Sequence, residues 1–384
     1  MQGPALIAGG GIAGLTLALA LARRGVTSRL FERAPVLEEA GAGVQLSPNA
    51  GRVLEGLGLG AALDAVATRP EGVSICDALT GSRLKRVTLG ASAERRWGAP
   101  YRVVHRADLQ AALAEAVAAA GMTEILLGTE IRAVEETASG VAIETVTDKG
   151  SEPVEGAWLA GCDGLRSVVR RAVKLPTAVA GAGLKAWRAV LPASAVPSAF
   201  DMREVTVWLG PKAHLVLYPV RKGREANVVI IGDDRVAGPA DVAERWAAPA
   251  RELIAATPTW TPWTLHDRSP DARLKRGRIA LLGDAAHAAL PSLAQGAAFA
   301  IEDAVVLARL VAEGGPAPFD AYQEARLMRV AKLQMNSRRQ IRIDHLSGAA
   351  AAARNAALRL APEAALIRGL DWIYGWRDVP LSRT

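Results

Sequence analysis

The first 22 residues, MQGPALIAGGGIAGLTLALALA, carry no charged side chain. A run of that kind can be a membrane span, an export signal or the buried start of a fold. Gly9, Gly10 and Gly11 would break a spanning helix in its middle, and no basic residue precedes Arg23 to act as the n-region of a signal. The run divides more naturally into folded elements. Ala5 to Ala8 is a short apolar stretch bounded by glycine, which suits a strand buried on both faces. Leu15 to Arg24 is rich in Ala and Leu, strong helix formers, and Gly25 closes it. Ser28 to Glu32 reads as a second strand. No later segment is long and apolar enough to span a membrane, so the expectation is a protein without a membrane span, in the cytoplasm. Two cysteines, Cys76 and Cys162, fit a reducing compartment and are too few for a disulfide scaffold or a structural zinc site.

Strand, glycines, helix, strand and acid in that order form a dinucleotide fingerprint: Gly9-x-Gly11-x-x-Gly14, then Glu32. Gly9 permits the tight turn out of the strand. Gly11 lets a pyrophosphate approach the backbone at the positive end of the helix, whose first turn holds Ile12 and Ala13. Gly14 allows helix and strand to pack closely. Glu32 can accept hydrogen bonds from ribose hydroxyls, and its charge would repel a 2′-phosphate.

Two later segments repeat the pattern of a strand ending in an acid. One runs from Ala157 to Asp163-Gly164, the other from Arg278 to Gly283-Asp284-Ala285-Ala286-His287. Ligands of open α/β sheets collect at the carboxyl ends of strands. Asp284 is therefore placed to bind a polyhydroxyl chain such as ribityl. A helix beginning at Gly296-Ala297-Ala298 would aim its amino end at the electron-rich edge of a flavin. A simple NAD dehydrogenase has no use for this third element, so FAD is the expected cofactor.

These blocks, with Glu32-Arg33, Gly41-Ala42-Gly43-Val44-Gln45 and His105-Arg106-Ala107-Asp108-Leu109 between them, resemble those of the FAD-dependent aromatic hydroxylases. These are the group A flavoprotein monooxygenases with the p-hydroxybenzoate hydroxylase fold. Within them the chain is most similar to the enzymes acting on salicylate, 3-hydroxybenzoate and 6-hydroxynicotinate. The similarity runs from residue 5 to about residue 377, including the closing Trp372-Ile373-Tyr374-Gly375-Trp376. The resemblance implies that Gly9, Gly11, Gly14, Glu32 and Arg33 hold the ADP half and that Arg106 approaches the pyrophosphate. It implies Asp163 for flavin and transient nicotinamide contacts, Asp284 for the ribityl, and Gly43, Val44, Gly296, Ala297 and Ala298 along the isoalloxazine ring. The family has proline after the histidine of the Gly-Asp block, and this chain has Ala288, which leaves the backbone around His287 less fixed.

The implied fold class is α/β: a Rossmann-like FAD-binding domain of the GR2 type, interleaved with a mixed-to-antiparallel β-sheet substrate domain and followed by C-terminal helices. At roughly 150 residues per domain, 384 residues suggest more than two. The expected division gives residues 1–70, 100–175 and 270–318 to the FAD-binding domain, 71–99 and 176–269 to the substrate sheet, and 319–384 to a helical segment.

Val205 to Leu209, His214 to Val220 and Asn227 to Gly232 read as antiparallel strands, the second ending near Tyr218 because Pro219 follows. Alternation puts His214, Val216 and Tyr218 on one face. If that face looks toward the flavin, His214 can deprotonate a phenol, because histidine titrates near neutrality, and Tyr218 flanks the same pocket. Arg188 and Arg235 can pair with a substrate carboxylate through two parallel hydrogen bonds, and Pro291 lies in the loop expected beside it. His287 reads as a structural hydrogen-bonding residue, His105 as a strand end.

From Phe319 the apolar spacing is helical, and the Ala-rich stretch from Gly348 continues as helix by propensity. The basic residues there, Arg326 to Arg342, read as a solvated face or subunit contact. Lys and Arg total 46 against 39 Asp and Glu, a net +7, but no aromatic residues interleave the basic run and no nucleic-acid motif accompanies it. The expected partners are a small aromatic or heteroaromatic acid, NADH or NADPH as transient co-substrate, and O2. The expected state is a monomer or homodimer, with no nucleic acid and no metal. The expected reaction is hydroxylation through a flavin C4a-hydroperoxide, with or without decarboxylation. The alternatives are a non-oxygenating flavin oxidoreductase of the same fold and a flavin-binding protein without catalysis.

Overall fold

The computed structural model describes residues 3–37, 43–177, 180–271, 273–315 and 317–378. Gly41 and Ala42 of the segment ahead of Gly43 lie outside the described residues.

The uncharged start is buried inside the fold. Ala5–Ala8 is a fully buried strand, and from it the chain turns into the helix Ile12–Ala22. That helix is apolar on all sides and buried on all sides, packed against the helices Gly296–Glu313 and Arg106–Ala120. A Cβ added at Gly14 would sit 1.9 Å from the Gly9 carbonyl oxygen, so the turn exists only because nothing projects there. Among the described residues no helix is long and apolar enough to cross a membrane.

A six-stranded sheet has the order Lys275–Arg276, Ile279–Leu281, Trp158–Gly161, Ala5–Ala8, Ser28–Phe31, Thr123–Leu126. All its neighbours are parallel except the first two strands. The parallel strands therefore deliver the glycine turn, Glu32, Asp163 and Asp284 to one edge, although these residues come from distant parts of the sequence.

A seven-stranded sheet has the order Thr261–Asp267, Ala180–Pro192, Glu225–Asp233, Ala213–Val220, Glu204–Gly210, Gly72–Asp77, Arg83–Thr88. It is antiparallel except where Glu204–Gly210 runs beside Gly72–Asp77. One face packs on a separate apolar cluster that includes Trp187, Leu215, Ile230 and Trp246. A short pair, Gly43–Leu46 with Arg102–His105, and a three-stranded sheet over residues 130–156 complete the β-structure of the described residues.

The structure corrects two local expectations. The strand carrying Tyr218 does not stop there: Pro219 and Val220 pair with Ala226 and Glu225. Pairing with Glu204–Gly210 has already ended at Leu217, so Pro219 lies where the strand has one neighbour and needs no N–H on its open side. The C-terminal helix is not continuous either. Pro318–Asp344 ends at His345, and a new helix, Gly348–Leu360, starts after Ser347. Gly348 at a φ of 56° makes the corner that alanine propensity alone would have bridged.

Candidate functional site

The site grows from the shared edge of the six-stranded sheet. Glu32 follows the strand Ser28–Phe31 and uses its two carboxylate oxygens to accept the N–H groups of Gly10 (2.7 Å) and Ala34 (2.9 Å). It thus locks the glycine turn and still has lone pairs for a ligand hydroxyl. No side chain caps the helix that starts at Ile12 and Ala13, so its first N–H groups face outward from Gly11. Arg33 is exposed beside this turn.

Asp163 follows Trp158–Gly161. One oxygen caps the short helix Val168–Ala172, accepting the N–H of Val168 at 2.6 Å and of Val169 at 3.1 Å. The other oxygen is buried with no hydrogen-bond partner. Burial raises this carboxyl above its ordinary range against those hydrogen bonds. Asp284 is different. It is exposed while Gly283, Ala285, Ala286 and His287 around it are buried, and Arg106, at the start of the helix Arg106–Ala120, lies within its electrostatic reach. Burial lowers the Arg106 guanidinium, with Asp284 opposing the shift and Arg188 adding to it.

The helix Gly296–Glu313 begins at the same edge without a side-chain cap. Gln295, at its cap position, sends its amide inward. It accepts from Asn49 Nδ2 at 3.2 Å and donates to Ser47 Oγ at 2.9 Å. Ala294 is held at a φ of 51°, unusual for a residue with a Cβ. The loop from Pro291 and the residues Gly296 and Ala297 keep accessible surface, whereas Ala298 is buried. These features fit FAD: a turn stripped of side chains, two uncapped helix starts, an unpaired buried carboxylate oxygen and an exposed carboxylate at a strand end.

The seven-stranded sheet supplies the facing wall. Its register puts Val190, Asn227 and Tyr218 in one row, Arg188, Val229 and Val216 in the next, and Ala186, Ile231 and His214 in the third. Tyr218 and Gly43 touch: a Cβ at Gly43 would fall 2.4 Å from the tyrosine ring, and the Gly43 N–H donates to Asn227 Oδ1 at 2.7 Å. Val44 is the next residue of that strand. In the middle row Arg188, Val216 and Val229 are only partly buried, while Asn227, Tyr218, Ala186, Ile231 and His214 in the rows on either side are buried. Burial lowers the Arg188 guanidinium, with Tyr218 opposing the shift, and Arg106 also lies within electrostatic reach. Arg188 also lies over the Trp263 ring, 5.7 Å from its centroid. Among the described residues no carboxylate is paired with it.

Arg235 is not brought to this face. It is exposed in the turn after Glu225–Asp233 and bonded to Asp233. His214 shares the face, but its setting differs from the expectation of a base that titrates near neutrality. It is 2 % exposed, and its Nδ1 lies 2.9 Å from Nε2 of His345. Burial and then His345 push its pKa down to about 3. Burial likewise raises Tyr218 well above the usual phenol range, so its hydroxyl stays protonated and can donate.

Behind the uncapped helix lies a charge cluster that reading along the chain missed. Glu302 and Asp303 are fully buried on the helix Gly296–Glu313. Arg326 meets both, Arg329 meets Glu302, and Asn49 donates to Glu302 at 2.7 Å. His287 bonds Asp303, so the substitution of Ala288 for proline does not free it. The basic run of the last helices is therefore partly internal, not a solvated face. The available signal was two adjacent acids inside the apolar stretch from Ala297 to Ala308, which demand buried cations.

The sequence model of the family described as FAD binding domain matches residues 2–337. The 3-hydroxybenzoate 6-hydroxylase of Polaromonas naphthalenivorans (strain CJ2) is 35% identical over 97% of this chain and 96% of its own length. The 3-amino-4-hydroxybenzoate 2-monooxygenase of Streptomyces cremeus is 37% identical over 96% and 94%. Among solved structures, Klebsiella pneumoniae HpxO complexed with FAD and uric acid superposes with a TM-score of 0.83 at 26% identity, covering 96% of this chain and 95% of that one. A salicylate hydroxylase substrate complex has the same fold, with a TM-score of 0.81 at 23% identity over 98% and 96%.

Proposed function

Because this chain belongs to the FAD-dependent aromatic hydroxylases, we propose that its substrate is a small phenolic or hydroxypyridine carboxylate, hydroxylated at the expense of NAD(P)H and O2. Bound FAD supplies the redox and oxygen chemistry. The residues that would hold it are Gly9, Gly11, Ile12, Ala13, Gly14, Glu32 and Arg33 around the ADP half. Arg106, Asp163 and Asp284 would serve the middle of the cofactor, with Gly43, Val44, Gly296, Ala297 and Ala298 along the ring.

The observation that carries the substrate class is Arg188. Arg188 is half-buried with only the Trp263 ring beneath it, and none of the described carboxylates is paired with it, so an anionic substrate group is the complement it lacks. A carboxylate placed there would lie over Val216 and Val229, with its aromatic ring against apolar side chains and its hydroxyl toward the row of Tyr218 or that of His214. Tyr218, kept protonated, would donate to a substrate oxygen. His214, which burial keeps neutral, would accept the phenol proton as the phenolate formed beside it stabilises the imidazolium, and so make the ring electron-rich for attack. Pro291 would border the opening.

The test compares 3-hydroxybenzoate with phenol as stimulants of NADH oxidation by the FAD-loaded protein. The carboxylate is expected to stimulate at concentrations at least tenfold lower, and Arg188→Met to erase the difference. Equal potency of the two compounds would sink the carboxylate assignment.

A further inference from the structure

His345 is tied into the protein through its main chain. Its N–H donates to the Ile341 carbonyl at 3.1 Å, and its carbonyl accepts the N–H of Lys212 at 3.3 Å. Lys212, at a φ of 64°, lies in the turn that leads into the strand carrying His214. The end of the long helix and the hairpin are thus held in a fixed relation. Their imidazoles meet with ring centroids 5.1 Å apart and Nδ1 of His214 at 2.9 Å from Nε2 of His345.

One proton lies between those nitrogens, and which ring brings it decides which nitrogen of His214 stays open. A base that takes a proton on Nε2 must carry its own single N–H on Nδ1. In that arrangement Nδ1 of His214 donates, Nε2 of His345 accepts, and Nε2 of His214 keeps a free lone pair. Both rings are neutral at physiological pH: burial brings His214 to about 3, and burial brings His345 to about 4 with Asp233 opposing.

We propose that His345 is a positioning residue that sets the tautomer of His214, keeping Nε2 open for the proton of a substrate hydroxyl. The inference rests on the reading of His214 as the base. In the step it serves, the substrate O–H bond breaks, an Nε2–H bond forms, and the electron pair stays on the phenolate oxygen. The Nδ1–H of the resulting imidazolium remains bonded to His345. The opposite tautomer, with the proton already on Nε2, has no site for it. The charged groups around His345 are Asp233 from Glu225–Asp233, Lys212 from the turn and Arg354 from Gly348–Leu360. Asp344 precedes it, and burial raises that carboxyl to about 7. Any pH response is therefore read against Asp344→Asn.

The chain has five histidines, so ¹⁵N NMR of the FAD-loaded, histidine-labelled protein can assign each by substitution. His214 is expected as the Nδ1–H tautomer in the parent and as the Nε2–H form or a mixture in His345→Phe. His345→Gln, whose carbonyl oxygen can accept the same proton, should restore the parent pattern. An Nε2–H tautomer for His214 in the parent overturns the proposal, whatever the variants do. A second measurement uses 3-hydroxybenzoate as probe and follows phenolate absorbance of the bound ligand against pH. His345→Phe should raise its apparent pKa by about one unit, tenfold less phenolate at a given pH, with benzoate binding unchanged. If His214→Asn leaves that titration unaltered, the base reading fails. If His214→Asn moves it and His345→Phe does not, the positioning role alone fails. Should His345→Phe not fold, the parent tautomer and His345→Gln decide.

Discussion

The two halves of the proposed site are built in different ways. The cofactor side is made largely of backbone: a turn without side chains, uncapped helix starts at Ile12 and Gly296, and single acids at strand ends. The substrate side we propose is made of side chains on a sheet, where Arg188, Tyr218 and His214 come from two strands and share a face only through register. A backbone-made site tolerates almost no added volume but asks little of residue identity beyond glycine. A sheet-made site tolerates volume changes and depends on which functional group stands in which row. The difference explains how one cofactor architecture can serve relatives named for different aromatic acids.

Substitutions that attack each half by its own weakness give the sharpest contrast. The largest effect is expected from Gly14→Val, which drives atoms into the Gly9 carbonyl. Overpacking of this kind costs about 1–3 kcal/mol, and here it also deforms the pyrophosphate turn, so the purified protein should lose its flavin absorbance. Retention of a full complement of FAD would break the claim that the turn is sterically required. Next is Arg326→Met, which strips the cation from two buried acids and should lower unfolding free energy by about 3–5 kcal/mol in a denaturant titration. Burial works against the charge of Asp303, and His287 and Arg326 together hold its carboxyl below the ordinary range, so this loss strikes the support of the cofactor helix.

On the substrate side, Arg188→Met should leave FAD content unchanged while raising KM for a phenolic acid about ten- to hundredfold, the worth of a charge-assisted pair. Arg188→Lys should recover only part, because a point charge cannot repeat the two-pronged geometry. A fall in FAD content as large as the rise in KM would erase the distinction between the halves. The smallest effect concerns pH. His345 has a folded pKa near 4, below its unfolded value of 6.5. The unfolded chain therefore takes up a proton first, and this group's contribution to stability falls as pH drops from 6.5 toward 4. His345→Gln should make the loss of stability between pH 7 and pH 5 shallower by about 1–2 kcal/mol, read from denaturant midpoints at the two pH values. A steeper loss would contradict the burial that sets that pKa.

How much of this was legible along the chain follows the same division. The glycine turn, Glu32, Asp163 and Asp284 are contiguous signals, each within a few residues of the strand that delivers it, and the sheet order only brings them together. Arg188 was legible as a residue type but not as a position, since Arg235 looked equally suited until register put it in an exposed turn bonded to Asp233. His345 could not be found at all, because its meaning comes from a contact across the fold with His214. Glu302, Asp303 and Arg326 stood in plain view as charges in helices, but only packing distinguishes a buried ion cluster from a solvated face.

The most direct test is turnover of 3-hydroxybenzoate by the FAD-loaded protein with NADH under ¹⁸O2, with mass spectrometry of the products. One labelled hydroxyl oxygen in an aromatic product is the expected result. NADH oxidation stimulated by this and by every other phenolic or hydroxypyridine acid offered, with label recovered only in hydrogen peroxide or water, would contradict it.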